Sequence, residues 1–266
     1  MRVNLRKSLF LLPNLITLSS VFCGFQAIVL CGEGADNTAF YQAALLIAYA
    51  MVFDILDGRV ARMTKTQSAL GVQLDSLADV ISFGVAPAAL VYRWSLQPLG
   101  NVGLFACFAF VAAGVLRLAR FNVLSTLESG APKSPGKYIV GLPIPGAAGI
   151  LVSLVVANHS VAGPLADHSS LILSVVLVLT GCMVSTMPFR SFKQLRLTGL
   201  TLALAALAVL STVLVAVQLR PAFALVWLLV GYLVIALCEG LLGLWSRLRA
   251  RSLTSLDPAS APSDAE

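Results

Sequence analysis

Long apolar segments, each close to the length that crosses a bilayer, recur from one end of the chain to the other and rule out a water-soluble fold. Crossing the hydrocarbon takes about 20 mostly apolar residues. Segments of that kind lie at 9–30, 39–56, 73–93, 101–122, 143–158, 170–188, 198–218 and 222–244. The fifth is short and interrupted by proline, so the expected number of spans is about eight, with seven as the alternative. Lipid offers nothing for a backbone amide to bond, so each span must be a helix that satisfies its own backbone. The expectation is an all-α, polytopic membrane helical bundle. Of 266 residues, 58% are hydrophobic and 11% charged, against about a quarter charged in soluble domains. The first apolar segment is full length and lacks a small-residue cleavage site, so it is expected as a span rather than a signal peptide. One integral membrane domain is expected over 1–251. The Ser-, Pro- and Ala-rich tail, 252–266, is expected to be disordered.

Net charge is +6, and its placement matters more than its size. Arg2, Arg6 and Lys7 precede the first span, Arg59, Arg62 and Lys65 follow the second, and Arg117, Arg120, Lys133 and Lys137 follow the fourth. Arg190, Lys193 and Arg196 follow the sixth, and Arg247, Arg249 and Arg251 follow the eighth. With an even number of spans, 16 of 18 cations fall on one side and only Arg93 and Arg220 on the other. The positive-inside rule then puts both termini on the cytoplasmic side of the cell membrane. That topological reading accounts for the basic face, and no nucleic-acid partner is expected. The five cysteines, Cys23, Cys31, Cys107, Cys182 and Cys238, show no paired spacing and read as small apolar packing residues.

Against this background one stretch stands out: DILDGRVARMTKTQSALGVQLDSLAD, residues 54–79, at the boundary between the second and third spans. It holds four of the twelve acidic residues. Asp54 and Asp57 are spaced i, i+3 at the end of the second span, and Gly58 and Ala61 continue that face. Gly71, Asp75 and Asp79 form an i, i+4, i+8 column at the start of the third. Two antiparallel helices joined by a short loop would bring the four carboxylates together at the cytoplasmic boundary. An Asp at a span centre costs about 2.5–3.5 kcal/mol, less near the interface, so intramembrane acids are functional by default. Clustered carboxylates repel one another unless protonated or neutralised by cations. All-oxygen ligation suits Mg2+ or Mn2+, and two such ions can clamp a phosphate and its leaving group.

The pattern Asp54-x2-Asp57-Gly58-x2-Ala61-Arg62-x8-Gly71-x3-Asp75-x3-Asp79 resembles the full signature of the CDP-alcohol phosphatidyltransferases. The resemblance implies that the first six spans form the catalytic core. It also implies that Asp54, Asp57, Asp75 and Asp79 hold two divalent ions, with Asp79 also acting as general base. Gly58, Arg62 and Ser68 are implied to contact the CDP-linked lipid donor, with Ala61 and Gly71 allowing close packing around it. Pro13, Asn14 and Thr17 match a PN-x-x-T element of the family's first span, which makes Asn14 and Thr17 expected donor contacts. The family also implies a homodimer.

Other stretches resemble the membrane-embedded phosphatidylserine synthase branch: DSLADVISFGVAPA (75–88), LRLARFN (116–122), GLPIPGAAG (141–149) and MPFRSFK (187–193). By that resemblance CDP-diacylglycerol and L-serine are the substrates, and phosphatidylserine and CMP the products. A serine pocket needs a cation for the carboxylate, for which Arg117, Arg120 and Lys137 are the candidates. The GLPIPG stretch is expected either to shape that pocket or to be a kinked helix start. Glycerol 3-phosphate or an inositol phosphate is the alternative acceptor. A cation transporter with the aspartates as its ion site is the more remote alternative, and that should show broken half-helices at the bilayer midplane. His159 and His168 are expected in solvent on the outer side. Neither is followed by lysine in a His-x-Lys motif, which excludes a phosphohistidine route of the phospholipase-D type. Glu239, inside the eighth span, is expected to bond within the bundle.

Overall fold

The computed structural model describes residues 5–64, 66, 68–126, 138–185, 188–190 and 231. Apart from Gly231, expected spans seven and eight lie outside the described residues, as do Lys137, Glu239, Cys238 and the tail. Six helical rods account for most of what is described: α1 (Leu5–Leu30), α2 (Asn37–Met63), α3 (Ala69–Leu99), α4 (Asn101–Thr126), α5 (Ile144–Val161) and α6 (Ser169–Val184). Among the described residues, α1 to α5 contain stretches long and apolar enough to cross a membrane, and α6 is a shorter apolar helix. The protein is therefore a multi-pass helical membrane protein. The six expected spans that fall on described residues each coincide with one rod.

Sequence periodicity explains which way each rod faces. On α4 the buried positions are Gly103, Ala106, Cys107, Phe110, Ala113, Gly114 and Leu118, with Phe105, Phe108 and Leu116 exposed between them. On α2 the buried stripe runs Phe40, Ala43, Ala44, Ile47, Ala50, Asp57, so a carboxylate ends a line of apolar residues, three of them alanine. On α1 it runs Thr17, Ser20, Cys23, Gly24, Ala27, Cys31. A spacing of three and four keeps each stripe on one helical face. The small residues in it let backbones approach closely, as helices in lipid need when apolar burial offers no preference for protein over lipid tails. Four described cysteines, Cys23, Cys31, Cys107 and Cys182, are buried and free, in keeping with packing roles.

Local signals set the rod ends. Asp36 caps α2, accepting from Ala39 N at 2.8 Å, and Ser68 caps α3, accepting from Gly71 N at 3.0 Å. Between them the chain folds back on the end of α2: Thr66 N donates to Ala61 O (3.1 Å), and the Thr64 and Thr66 hydroxyls bond each other at 2.7 Å. That short connection makes α2 and α3 neighbours in space. The prolines of GLPIPG stand at the cap and first turn of α5, where a missing amide costs nothing. The fifth span is thus an unbroken helix, and the stretch is its start.

Two features have no forerunner in the sequence pattern. The α3 rod is not uniform: residues Val80–Val85 and Tyr92–Leu96 widen into π-helix, and Gln97–Leu99 tighten into a 3-10 turn. In addition, Tyr138–Val140 (β1) pairs antiparallel with Pro188–Arg190 (β2), clasping the α5 start to the α6 end. Gly141 follows β1 with φ +78°, and Leu142 N donates to Cys182 O at 3.0 Å.

Candidate active site

Asp54 and Asp57 lie on the bundle-facing stripe of α2, and Asp75 on the second turn of α3. One oxygen from each of Asp54, Asp57 and Asp75 lies within 4.8 Å of the others. Asp57 is buried, and Asp54 and Asp75 are half-buried. Asp79, one turn further along α3, is not part of that trio of oxygens. Its carboxyl is near enough to that of Asp54 for each to act on the other's charge, and Arg117 of α4 acts on it as well.

The trio of Asp54, Asp57 and Asp75 fits a hard divalent ion. Oxygens around Mg2+ at about 2.1 Å stand roughly 3–4 Å apart, so small side-chain rotations close the trio onto one ion. No nitrogen or sulfur ligand competes within it, which disfavours zinc and copper. The geometry accounts for one three-carboxylate group, with Asp79 placed beside it.

Around the acids the sequence-expected residues divide. Thr17, buried on α1, donates to Asp57 Oδ2 at 2.6 Å, and its hydroxyl also lies 3.0 Å from Pro13 O. Asn14 is half-buried, its Oδ1 3.6 Å from where a side chain on Gly71 would begin. Ser68 is engaged in capping α3 through Gly71 N. A Cβ added to Gly58 would meet nothing within 4 Å, so Gly58 borders open space beside the acids rather than a packed helix. Ala61 is half-buried and its carbonyl takes the Thr66 amide; Arg62 is exposed. Of the candidate acceptor cations, Arg117 is half-buried and within electrostatic reach of Asp79, Arg120 is exposed, and Lys137 is outside the described residues.

Sequence reasoning passed over several residues that hold this arrangement. Asn122 Nδ2, near the end of α4, donates to Ser76 Oγ at 2.9 Å, tying α4 to the turn between Asp75 and Asp79. Ser20 and Ser82 bond each other across α1 and α3. The signal for the second pair was a stripe of small hydroxyl and glycine residues, Thr17-x2-Ser20-x3-Gly24, on one face of an apolar helix.

The far end of the bundle is chemically different. Arg93 donates from Nε to Cys31 O (3.0 Å), and Ser95 Oγ to Ala166 O (2.7 Å). Two cavities open there; the smaller, about 230 Å³, is lined by residues including Asn37, Trp94, Asn158 and His159. His159 and His168 are both exposed, as expected, and His159 also stacks on Tyr41 with ring centroids 4.3 Å apart. The acids are at the other end of α2 and α3, and both helices run without a break past them. That arrangement lacks the midplane half-helices of a transporter ion site.

A family model for CDP-alcohol phosphatidyltransferase matches residues 10–184, which contain all of the acids just described. The chain belongs to that family. Relatives within the CDP-alcohol phosphatidyltransferases bear the name CDP-diacylglycerol–serine O-phosphatidyltransferase. The one from Helicobacter pylori is 37% identical over 188 residues, covering 71% of this chain and 75% of its own. The one from Saccharomyces cerevisiae is 41% identical over 138 residues (50% and 49%), and that from Methanocaldococcus jannaschii 36% over 146 residues (55% and 61%).

Proposed function

We propose that the protein transfers the phosphatidyl group of CDP-diacylglycerol to the hydroxyl of L-serine, giving phosphatidylserine and CMP. The observation that carries this reading is the trio of Asp54, Asp57 and Asp75 oxygens within 4.8 Å, with Asp79 one turn further along α3, at one end of a membrane bundle. A lipid with its chains in the bilayer and its pyrophosphate at the boundary meets its chemistry at such an end. The names of the relatives support serine as the acceptor.

Asp54, Asp57 and Asp75 would hold divalent metal, Mg2+ or Mn2+, with Asp79 sharing in the second of two ions. When bound, the metal neutralises charge on the pyrophosphate. The chain's own residues do the rest. Asp79 takes the proton from the serine hydroxyl as its oxygen bonds to the lipid-side phosphorus, and the bond from phosphorus to the CMP oxygen breaks. Such a transfer is mostly positioning and charge stabilisation. Arg117, half-buried and within electrostatic reach of Asp79, is the better placed of the acceptor cations for a carboxylate; Arg120 is exposed. By the family signature, Asn14, Thr17, Gly58, Ala61, Arg62, Ser68 and Gly71 are the donor contacts, with open space at Gly58 giving the donor room there. The basic end of the bundle faces the cytoplasm, where serine is met and CMP released.

The test uses purified protein in detergent with CDP-diacylglycerol, labelled serine and Mn2+ or Mg2+, following label in lipid and CMP release. Metal-dependent labelling that stops on chelation supports the reading. CMP release only with glycerol 3-phosphate or an inositol phosphate overturns serine and keeps the family chemistry.

A further inference from the structure

The α1 helix touches both acid-bearing helices through one face. Thr17 reaches Asp57 of α2; one turn on, Ser20 reaches α3. The Ser20 hydroxyl donates to Ser82 Oγ (3.2 Å), and Ser82 Oγ donates back to the Ser20 carbonyl (3.0 Å), so both protons are used in a closed ring. Both residues are buried, Ser82 completely and Ser20 to 2% exposure. One further turn along, Gly24 is so close that a Cβ there would stand 2.9 Å from the Ser82 Cα. Ser82 lies in the π segment Val80–Val85, which begins at the residue after Asp79.

A π segment accommodates one residue more than a straight α-helix over the same rise, and one residue is about 100° of helical rotation. The rod beyond the segment is anchored: Ala86, Ala88, Leu90 and Val91 are buried in the core. The azimuth of Asp75 and Asp79 relative to that anchored part is therefore decided at Val80–Val85. Relaxing the segment to plain α-helix would turn the acids away from Asp54 and Asp57.

We propose that Ser20, Ser82 and Gly24 form a positioning lock that holds the π segment in register and thereby aims Asp75 and Asp79 at the carboxylates of α2. The lock touches neither substrate nor metal. It rests on the reading of the aspartates as a metal site and adds what sets their geometry.

The full-length protein in detergent is titrated with Mn2+ alone, followed by electron paramagnetic resonance, for the parent and for Ser82→Ala, Ser20→Ala and Ser153→Ala. Ser153 is an equally buried hydroxyl that bonds only Ile150 O in its own helix, and so controls for loss of a buried hydrogen bond. Supports of metal ligands are typically worth 10–100-fold in affinity. Ser82→Ala should weaken Mn2+ binding by about 10-fold or more. Ser20→Ala, which leaves Ser82 its bond to the Ser20 carbonyl, should weaken it less, and Ser153→Ala should leave it unchanged. With serine transfer measured alongside, kcat should fall for Ser82→Ala more than KM for the CDP-lipid rises. Equal Mn2+ affinity in parent and Ser82→Ala, or an equal loss in Ser153→Ala, overturns the lock and leaves the metal site standing. If Ser82→Ala does not fold, unchanged affinity in Ser20→Ala overturns it instead. A parent that binds no Mn2+ overturns the metal reading and the lock with it.

Discussion

A carboxylate at the edge of a bilayer keeps its aim only if its oxygens are held, and Asp57 has Oδ2 held by Thr17 at 2.6 Å. Thr17→Val keeps the shape and removes that donor. It should weaken Mn2+ affinity about 10-fold, the low end for loss of a group that orients a metal ligand. If Thr17 acts only on the nucleotide, Mn2+ affinity without donor will not move. Asp79 stands in a different position, within electrostatic reach of Asp54 and Arg117 but outside the trio of oxygens. A general base contributes about 10²–10⁴-fold, so Asp79→Asn should lower kcat by that much while leaving one Mn2+ bound at the trio. A variant that loses every Mn2+ would make Asp79 chiefly a ligand. The four acids were legible because their spacings put them on single helical faces. The role of Thr17 was not: its partner is 40 residues away, and a hydroxyl in an apolar helix carries no mark of what it bonds.

Elements were legible where one physical rule decides them. Backbone satisfaction in lipid forces helices, and caps such as Asp36 and Ser68 and the prolines before α5 set where they begin. The π segment Val80–Val85 escapes such rules, because its widening depends on how Ser82 meets Ser20 and Gly24 of another helix, which no local pattern within the segment announces. The β1–β2 pairing escapes for a similar reason, since three-residue strands have too few positions for alternation to show. Its one local sign is Gly141. At φ +78° any other residue costs about 1–2 kcal/mol, and a Cβ there would also run into the Met183 carbonyl. Gly141→Ala should therefore lower the midpoint of thermal unfolding in detergent by several degrees. An unchanged midpoint would show that the clasp adds nothing to the bundle.

At the scale of the whole molecule the two ends of the bundle differ in kind, and that difference can be read from outside. The acids, Arg59, Arg62, Arg117 and Arg120 share one end; Arg93, Gln97, Asp167 and the histidines share the other. On the charge asymmetry we propose that the first end faces the cytoplasm, where serine would reach Asp79 without crossing lipid. The described cysteines are all buried, so with Cys238 replaced by serine a single introduced cysteine reports its own side. Arg62 and Gln97 are both exposed and lie at opposite ends. A membrane-impermeant maleimide should label Gln97→Cys in intact cells, and Arg62→Cys only after the membrane is opened or inverted. The reverse pattern would put the acids outside and overturn the cytoplasmic reading. Labelling of both from one side would mean that α3 does not cross the bilayer, and would sink the bundle topology on which the site depends.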